Sequence, residues 1–310
     1  MKTDTQRDYE ARILRVLVHI QTHLDHALDL DELAAIACFS AYHFHRVFRG
    51  MVGEPVIEHV RRLRLERAAY QLKATDHPVT RIAFDAGYDT HEAFTRAFRA
   101  MFDEPPSAFR QHRRANRPPK AGEPDTEQWS GVGARIRYAP DGRLDSFEAL
   151  ESEVRTMNVR IENLPPRRVA FVRHNGPYDQ VGPTWQRLMG WAASRGLFSA
   201  MAAPLAVVHD DPDITPAERR RYDACVAVDE RFTPEGDIGV QEVAGGTYAV
   251  ARHHGPYARL GETYAALMGQ WLPAHDHEPA MQPCLEVYLN DPQHTPPEEL
   301  LTDIYVPLAK

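Results

Sequence analysis

The sequence predicts two folds in one chain. An all-α N-terminal domain holds two helix-turn-helix units, and an α+β C-terminal domain is a duplicated antiparallel sheet carrying two helices. Three observations lead there. The stretches "LDLDELAAIACFSAYHFHRVFR" and "HPVTRIAFDAGYDTHEAFTRAFR" repeat one plan at an offset that grows from 49 to 50 residues. "RHNGPY" at Arg173–Tyr178 returns 79 positions later as "RHHGPY" at Arg252–Tyr257. From Val159 onward, apolar spacing changes from helical to alternating. Internal duplication explains the first two observations and frames every motif below.

A length of 310 residues, 43% hydrophobic and 26% charged, fits a soluble globular chain of two or three domains. No run approaches the roughly 20 apolar residues a bilayer-spanning helix needs. The polar opening "MKTDTQRDYE" lacks the apolar core of a secretory signal. Cys38, Cys225 and Cys284 lie far apart without metal-type spacing, so the expected location is the cytoplasm. Charge is uneven: residues 1–118 hold 18 Lys+Arg against 16 Asp+Glu, leaving 18 against 28 of the totals of 36 and 44 for the rest. A mildly basic front and an acidic back suit a polyanion and a cation respectively.

The first element is an amphipathic helix over 12–24, with Ile13, Val16, Leu17, Ile20 and Leu24 on one side. A short helix, a turn near Cys38-Phe39-Ser40 and a second helix from Ala41 follow. In the second unit Ala86-Gly87-Tyr88 answers Ala37-Cys38-Phe39, and Phe94-x-Arg96-x-Phe98 answers Phe44-x-Arg46-x-Phe48, with one extra residue in the turn. "VIEHVRRLRLERAAYQLKA" joins the units as a long helix. Its Arg61, Arg62, Arg64 and Arg67 are either a solvated face or phosphate contacts, and their place between two such units favours phosphate.

These residues resemble the AraC/XylS type of transcriptional regulator: both units, the linking helix and the closing "FDEPPSAFRQHR" occur in order over about 12–113. One departure is Asp103 where the first unit has Gly53, which weakens a helix end. The resemblance implies that the second helix of each unit enters a major groove of double-stranded DNA. The expected DNA contacts are Ser40, Tyr42, His45, Arg46 and Arg49 in the first unit, Arg61 and Arg62 on the linking helix, and Thr90, His91, Thr95 and Arg96 in the second unit. Arginine can bond guanine through two donors at once, and Tyr42 and Thr95 can touch thymine methyls. Phe44, Phe48, Phe94 and Phe98 are read as core. RNA polymerase is a further candidate partner, and no membrane role is expected.

Residues 8–114 thus form the expected DNA-binding domain, 115–156 a Pro- and Gly-rich linker with partial order around Trp129 and Tyr138, and 157–310 the second domain. "VRIENL" and "RRVAFVRH" read as strands, followed by a helix over about Asp179–Arg195 and the strands "APLAVVHD" and "YDACVAVDE". The second copy runs "DIGVQEV", "GTYAVARHH", a helix around Gly261–Trp271, "CLEVYLND" and "LLTDIYVPL". "GPY" is a strand-to-helix hinge in which Gly frees the backbone and Pro fixes φ. His253 and His254 point to opposite faces of a strand, so no metal site is expected. No cofactor and no catalytic group are expected either.

The twin "GPY" hinges and the ending "PPEELLTDIYVPL" resemble the GyrI-like effector-binding domain over about 157–310, and the pairing of such a front and back resembles the Rob-type organisation. The resemblance implies a cleft between the copies, lined by aromatic rings, with a buried glutamate that selects cationic, lipophilic compounds. It places that acid at Glu286 in "CLEVYL", with Trp185, Tyr264 and Tyr288 as walls and Trp191 and Trp271 as further candidates. The matching place in the first copy is expected near Ala224, without a carboxylate. The bland alternative pairs Glu286 with an arginine such as Arg252. The leading reading is a DNA-binding transcription regulator that senses a small cationic, hydrophobic effector. Two others stand beside it: a GyrI-like hydrolase using Glu286 as base with Tyr264 or Tyr288, and a protein-interaction module with a filled cleft.

Overall fold

The computed structural model describes residues 2–115, 135–138, 144–149, 157–197, 203–230 and 232–309. The front half is helical: α1 (Asp4–Thr22), α2 (Leu30–Ile36), α3 (Ala41–Val52), α4 (Val56–Ala74), α5 (Val79–Asp85), α6 (His91–Phe102) and α7 (Pro106–Ala115). α2–α3 and α5–α6 are the two expected helix-turn-helix units. Each second helix opens on a hydroxyl cap: Ser40 Oγ accepts from the His43 N–H at 3.2 Å, and Thr90 Oγ1 from the Ala93 N–H at 3.1 Å. Both units turn through a left-handed residue, Cys38 at φ +56° and Gly87 at φ +80°. The extra residue of the second unit lies in its turn, 86–90 against 37–40.

α4 divides the apolar packing. Its Val56 and Val60 belong to the core of α1–α3, whereas Leu65, Ala68, Ala69 and Leu72 join Ile82, Phe94 and Phe98 of the second unit and Phe109 of α7. The first core does not stop at the front half. Tyr9, Val47 and Phe48 share one continuous cluster with Ala249, Met268, Trp271 and Ile304, which lie more than two hundred residues away by number. Packing therefore separates the second helix-turn-helix unit from everything else, a division that chain order hides.

Within the expected linker, β1 (Arg135–Tyr138) and β2 (Leu144–Glu148) pair antiparallel, and Phe147 of β2 is buried in the shared core. Trp129 lies outside the described residues. The back half is an eight-stranded antiparallel sheet of β3 (Val159–Leu164), β4 (Arg167–Asn175), β5 (Leu205–Val208), β6 (Arg221–Ala227), β7 (Gly239–Val243), β8 (Gly246–His254), β9 (Cys284–Tyr288) and β10 (Leu301–Pro307), in the order β3-β8-β10-β9-β5-β6-β4-β7. Each copy's first strand, β3 or β7, pairs in the other copy's half. β5 and β9 meet at the centre, where Ala206 lies opposite Glu286.

α8 (Gly182–Ser194) covers the first copy; α9 covers the second as Leu260–Ala266, a π-helical turn Leu267–Trp271 and a last piece Leu272–Ala274. The wide turn precedes Pro273, which has no N–H to continue the α-helical ladder. Both helices lie on one face of the sheet, as expected: Leu188 of α8 packs on Ala170, Ala206 and Ala224, and Leu267 of α9 joins Ala249, Ala251 and Ile304. The other face carries Val169, Leu205, Val207, Tyr248, Val250 and Leu285, which the sheet's curl brings together. Among the described residues, no helix is long and apolar enough to cross a membrane.

Helices α3 and α6 end alike, with a left-handed Gly53 at φ +93° and Asp103 at φ +61° donating N–H to Arg49 and Arg99 carbonyls at 2.9 Å. At Asp103 a β-carbon strains the turn and a carboxylate faces the negative end of the helix dipole. Asp103→Gly is expected to raise stability by about 1 kcal/mol, read as a higher denaturation midpoint. An unchanged or lower midpoint would show that this cap is not strained.

Candidate functional site

Cys284, Glu286 and Tyr288 alternate along β9 and so share the helix-bearing face of the sheet. Glu286 is buried, and both its oxygens accept phenol protons: Tyr264 Oη donates to Oε1 at 3.1 Å and Tyr288 Oη to Oε2 at 2.6 Å. Tyr222 and Tyr288 hydroxyls lie 2.7 Å apart, and Trp185 Nε1 donates to Tyr222 Oη at 2.9 Å. An indole N–H only donates, and a carboxylate only accepts. With Glu286 ionised, the proton order is Trp185 to Tyr222 to Tyr288 to Glu286. Burial raises the Glu286 carboxyl above the ordinary value, opposed by the two phenols and by the charge of Arg46. Burial, and then the Glu286 charge, hold the Tyr222 and Tyr264 phenols well above their usual range, so they remain donors.

Two expectations are corrected here. Arg252 does not pair with Glu286: its Nε and Nη2 grip Asp303 at 2.8 and 3.0 Å on the opposite face, just as Arg173 grips Asp223 at 2.7 and 2.8 Å. Nor is Ala224 the counterpart of Glu286. Asp211-Pro212 and Asp291-Pro292 set an offset of 80 for the strands they follow, which makes Ala206 the counterpart of Glu286. Ala206 is also its cross-strand partner, so the two positions straddle the pseudo-twofold axis. Ala224 is one strand further along the same row. The acid therefore breaks the symmetry next to the axis itself.

Five of the six positions of the repeated hexapeptide now have a task, Asn175 and His254 being the exception. Arg173 and Arg252 lock strand pairs. His253 Nε2 donates to the Pro256 carbonyl at 3.2 Å, which leaves Nδ1 to accept from the Thr263 hydroxyl at 2.8 Å. His174 bonds the Pro177 carbonyl at 3.0 Å in the same way. Gly176 and Gly255 take φ +141° and +124°, as the hinge reading requires. The closing tyrosines reach toward the site: Tyr257 stands edge-on to Tyr288 at 5.4 Å, and Tyr178 packs on Tyr222 at 5.8 Å. Sequence reading missed Tyr178, Tyr222 and Tyr257. The signal for the first and last was the repetition of Tyr in both copies. Of the other candidate rings, Trp185 and Tyr288 meet edge-to-face at 5.6 Å, while Trp191 packs on Phe232 and Trp271 stacks on His275.

The side of the site not walled by the back half is closed by α3. Backbones meet where α3 crosses α9: a β-carbon on Gly50 would lie 2.0 Å from the Ala265 carbonyl oxygen, and one on Gly269 would lie 2.7 Å from Gly50 Cα. Gln270 Nε2 donates to the Gly50 carbonyl at 2.9 Å. At this crossing Arg46, only 5% exposed, lies over the Tyr264 ring at 3.9 Å and the Tyr42 ring at 4.2 Å, with Nη1 3.8 Å from Cys284 Sγ. Its Nε is 3.3 Å from Asp211 Oδ2, which also lies 3.4 Å from the buried His45 Nδ1. Tyr42 Oη donates to the Val208 carbonyl at 3.2 Å, and Arg49 pairs with Asp213 at 2.6 Å. His45, Asp211 and Asp213 come together in a metal-like group, but arginines already neutralise both carboxylates.

Thus Tyr42, His45, Arg46 and Arg49, expected to meet DNA, all face the back half in this arrangement. The linking-helix arginines are also engaged. Arg62 bonds Glu54 at 2.7 Å and Glu66 at 2.8 Å, Arg61 bonds the exposed Glu58, and Arg64 holds the Leu24 and His26 carbonyls. In the second unit Thr90 and Arg96 are exposed and His91 and Thr95 half-buried; no described carboxylate pairs with Arg96. Recesses of about 540 and 440 Å³ beside Leu24–Ala27, Arg64 and Gly87 lie apart from Glu286.

Residues 157–309 match the family of GyrI-like small molecule binding domains, and residues 33–112 match a helix-turn-helix domain family. The chain is 31% identical over 149 residues to the transcriptional regulator Rob of Salmonella typhimurium, covering 48% of this chain and 45% of Rob. It is 32% identical over 157 residues to the probable transcriptional regulator YgiV of Escherichia coli, covering 50% of this chain and 98% of YgiV. To the regulatory protein SoxS of Salmonella typhimurium it is 36% identical over 100 residues, covering 32% of this chain and 94% of SoxS. The chain spans just under half the length of Rob.

The docking of α3 carries its own pH dependence. Burial opposes the charged Asp211, but the His45 ring and the Arg46 guanidinium outweigh it and bring the pKa from 3.8 down to about 2. Its ionisation therefore stabilises the fold in full above about pH 4, and the gain is lost as pH falls through 2. Asp211→Asn is expected to cost about 2 kcal/mol near neutral pH, with the gap to wild type closing between pH 4 and 2 in thermal unfolding. A gap that stays constant across that range would contradict the assignment.

Proposed function

Because the chain belongs to the AraC-type helix-turn-helix regulators that carry a C-terminal GyrI-like small-molecule binding domain, we propose that it is a DNA-binding transcription regulator whose sheet domain senses a lipophilic organic cation at Glu286. Double-stranded DNA and that effector are its two partners, and RNA polymerase is a third. The observation that carries the effector reading is the Glu286 carboxylate: buried, supplied with two phenol protons, yet without a cation in hydrogen-bond contact. When ionised, such a group carries a charge that phenols cannot cancel, and burial makes that charge costly until a cation sits beside it. A delocalised cation, which needs no hydrogen bond, neutralises it at little desolvation cost. The rings of Trp185, Tyr222, Tyr264 and Tyr288 supply cation–π attraction of about 0.5–2 kcal/mol each where a cation lies over a face.

On the DNA side, the exposed Thr90 and Arg96, with His91 and Thr95, form the base-reading edge of α6. Its N-terminus is open, and N-terminal residues of a recognition helix meet base edges. In the first unit Ser40, Tyr42, His45, Arg46 and Arg49 take the same role once α3 leaves α9. Arg61 and Arg62 are phosphate contacts of the linking helix, Arg61 the more available because its partner Glu58 is equally exposed.

Two measurements test this reading. Tetraphenylphosphonium is expected to raise the melting temperature of the full chain, and Glu286→Gln to abolish that rise; equal shifts in both would remove Glu286 from the site. On duplexes selected from a random library, Arg96→Ala is expected to lose about 1–3 kcal/mol of discrimination at one base pair, with little change in salt dependence. A uniform loss on all duplexes would make Arg96 a phosphate contact.

A further inference from the structure

We infer that Arg46 is the resident cation of the effector site, so that the first recognition helix and the effector compete for one seat. This rests on the reading of Glu286 as the acid of that seat. A lipophilic cation would need an aromatic face, a nearby buried carboxylate and shelter from water. Arg46 already has all three. Its guanidinium lies over the Tyr264 ring at 3.9 Å, and that ring's hydroxyl donates to Glu286. It touches Cys284, which shares a face of β9 with Glu286 two residues on, and it is 5% exposed.

The helix that brings Arg46 is built to sit there. Gly50 and Gly269 remove the β-carbons at the crossing of α3 and α9. In the first copy Gly190, the repeat partner of Gly269, has open space around it, so the glycine of the second copy serves the contact with α3. Asp211 is buried against Arg46, whereas its repeat partner Asp291 is exposed. The asymmetry of the duplicated domain thus centres on α3: the acid and the glycine contact occur only in the second copy, and the buried aspartate only in the first.

The consequence is a linkage between two ligands. The same guanidinium cannot lie over Tyr264 and bond guanine. Binding of DNA by the first helix-turn-helix unit empties the seat, and a cation in the seat frees the unit. Each ligand therefore raises affinity for the other by an equal factor, while the second unit stays open throughout.

The test uses the full chain and tetraphenylphosphonium. Arg46→Met is combined with Asp211→Asn, so that Asp211 is not left as a buried carboxylate without its ion-pair partner and Glu286 alone keeps its charge for the incoming cation. Calorimetric affinity for the cation is expected to rise about tenfold in this double variant, because the competing occupant is gone. In wild type, saturating cation is expected to speed backbone hydrogen exchange in 41–52 and leave 91–102 unchanged. Binding to the variant alone would also support Arg46 as the occupant. If wild type binds the cation and loses it with Glu286→Gln, yet the double variant binds no more tightly and exchange in 41–52 does not change, the competition is wrong and the sensor reading stands. Binding by neither chain would overturn the sensor reading itself.

Discussion

The arrangement depends on two glycines. Where α3 crosses α9, Gly50 and Gly269 let main chain touch main chain, and a single added methyl would lie 2.0 Å from a carbonyl oxygen. Everything distinctive follows from that closeness. It lets Val47, Phe48 and Met51 complete a core begun by strands of the sheet. It also carries a guanidinium deep enough to lie over Tyr264. A larger residue at either position would lift the helix and return Arg46 to water.

Much of this molecule was legible in the sequence. Repeated Phe-x-Arg-x-Phe spacing located both recognition helices, and alternation located the strands to within a few residues, because both patterns report which side chains are buried. The extra residue in the second turn was visible as a shift of offset. The sheet's exchanged edges were not, since β3 and β7 carry no mark of which copy they pair with. Docking of α3 was invisible for a sharper reason: Tyr42, His45 and Arg46 are polar, and polar residues on a recognition helix read as facing outward. Their burial is possible only because Asp211, the Val208 carbonyl and two aromatic rings wait on the other side. None of these is near them in sequence.

The site itself was half legible. Glu286, Tyr264 and Tyr288 do meet, and Trp185 joins them through Tyr222. Tyr222 escaped because its strand reads as ordinary apolar alternation, and nothing in it announces a hydroxyl at the end of a proton chain. The error over Ala224 is instructive. The hinges repeat at 79 and the strands that follow at 80, and either offset places the counterpart of Glu286 on β5, at Val207 or Ala206; Ala224 comes from matching "CLEVYL" to "YDACVAV", one strand too late. Aligning Asp-Pro pairs instead of hinges puts a methyl, Ala206, directly across the axis from the acid.

The burial of Arg46 beside Asp211 is a near-balance of opposing terms. Removing a guanidinium and a carboxylate from water costs several kcal/mol per ion, and their mutual attraction returns about as much. The Arg46 Nε–Asp211 Oδ2 separation of 3.3 Å is a longer approach than the two-point grips of Arg173 and Arg252, at 2.7–3.0 Å, elsewhere in the same domain. Those two hold strands together and have every reason to be tight. The grip of Arg46 is looser, and the Tyr264 and Tyr42 rings supply much of the guanidinium's own surroundings. The two-point grips thus hold strands of the sheet, whereas α3 is held by one long approach from Arg46 and one short, partly exposed contact from Arg49 to Asp213.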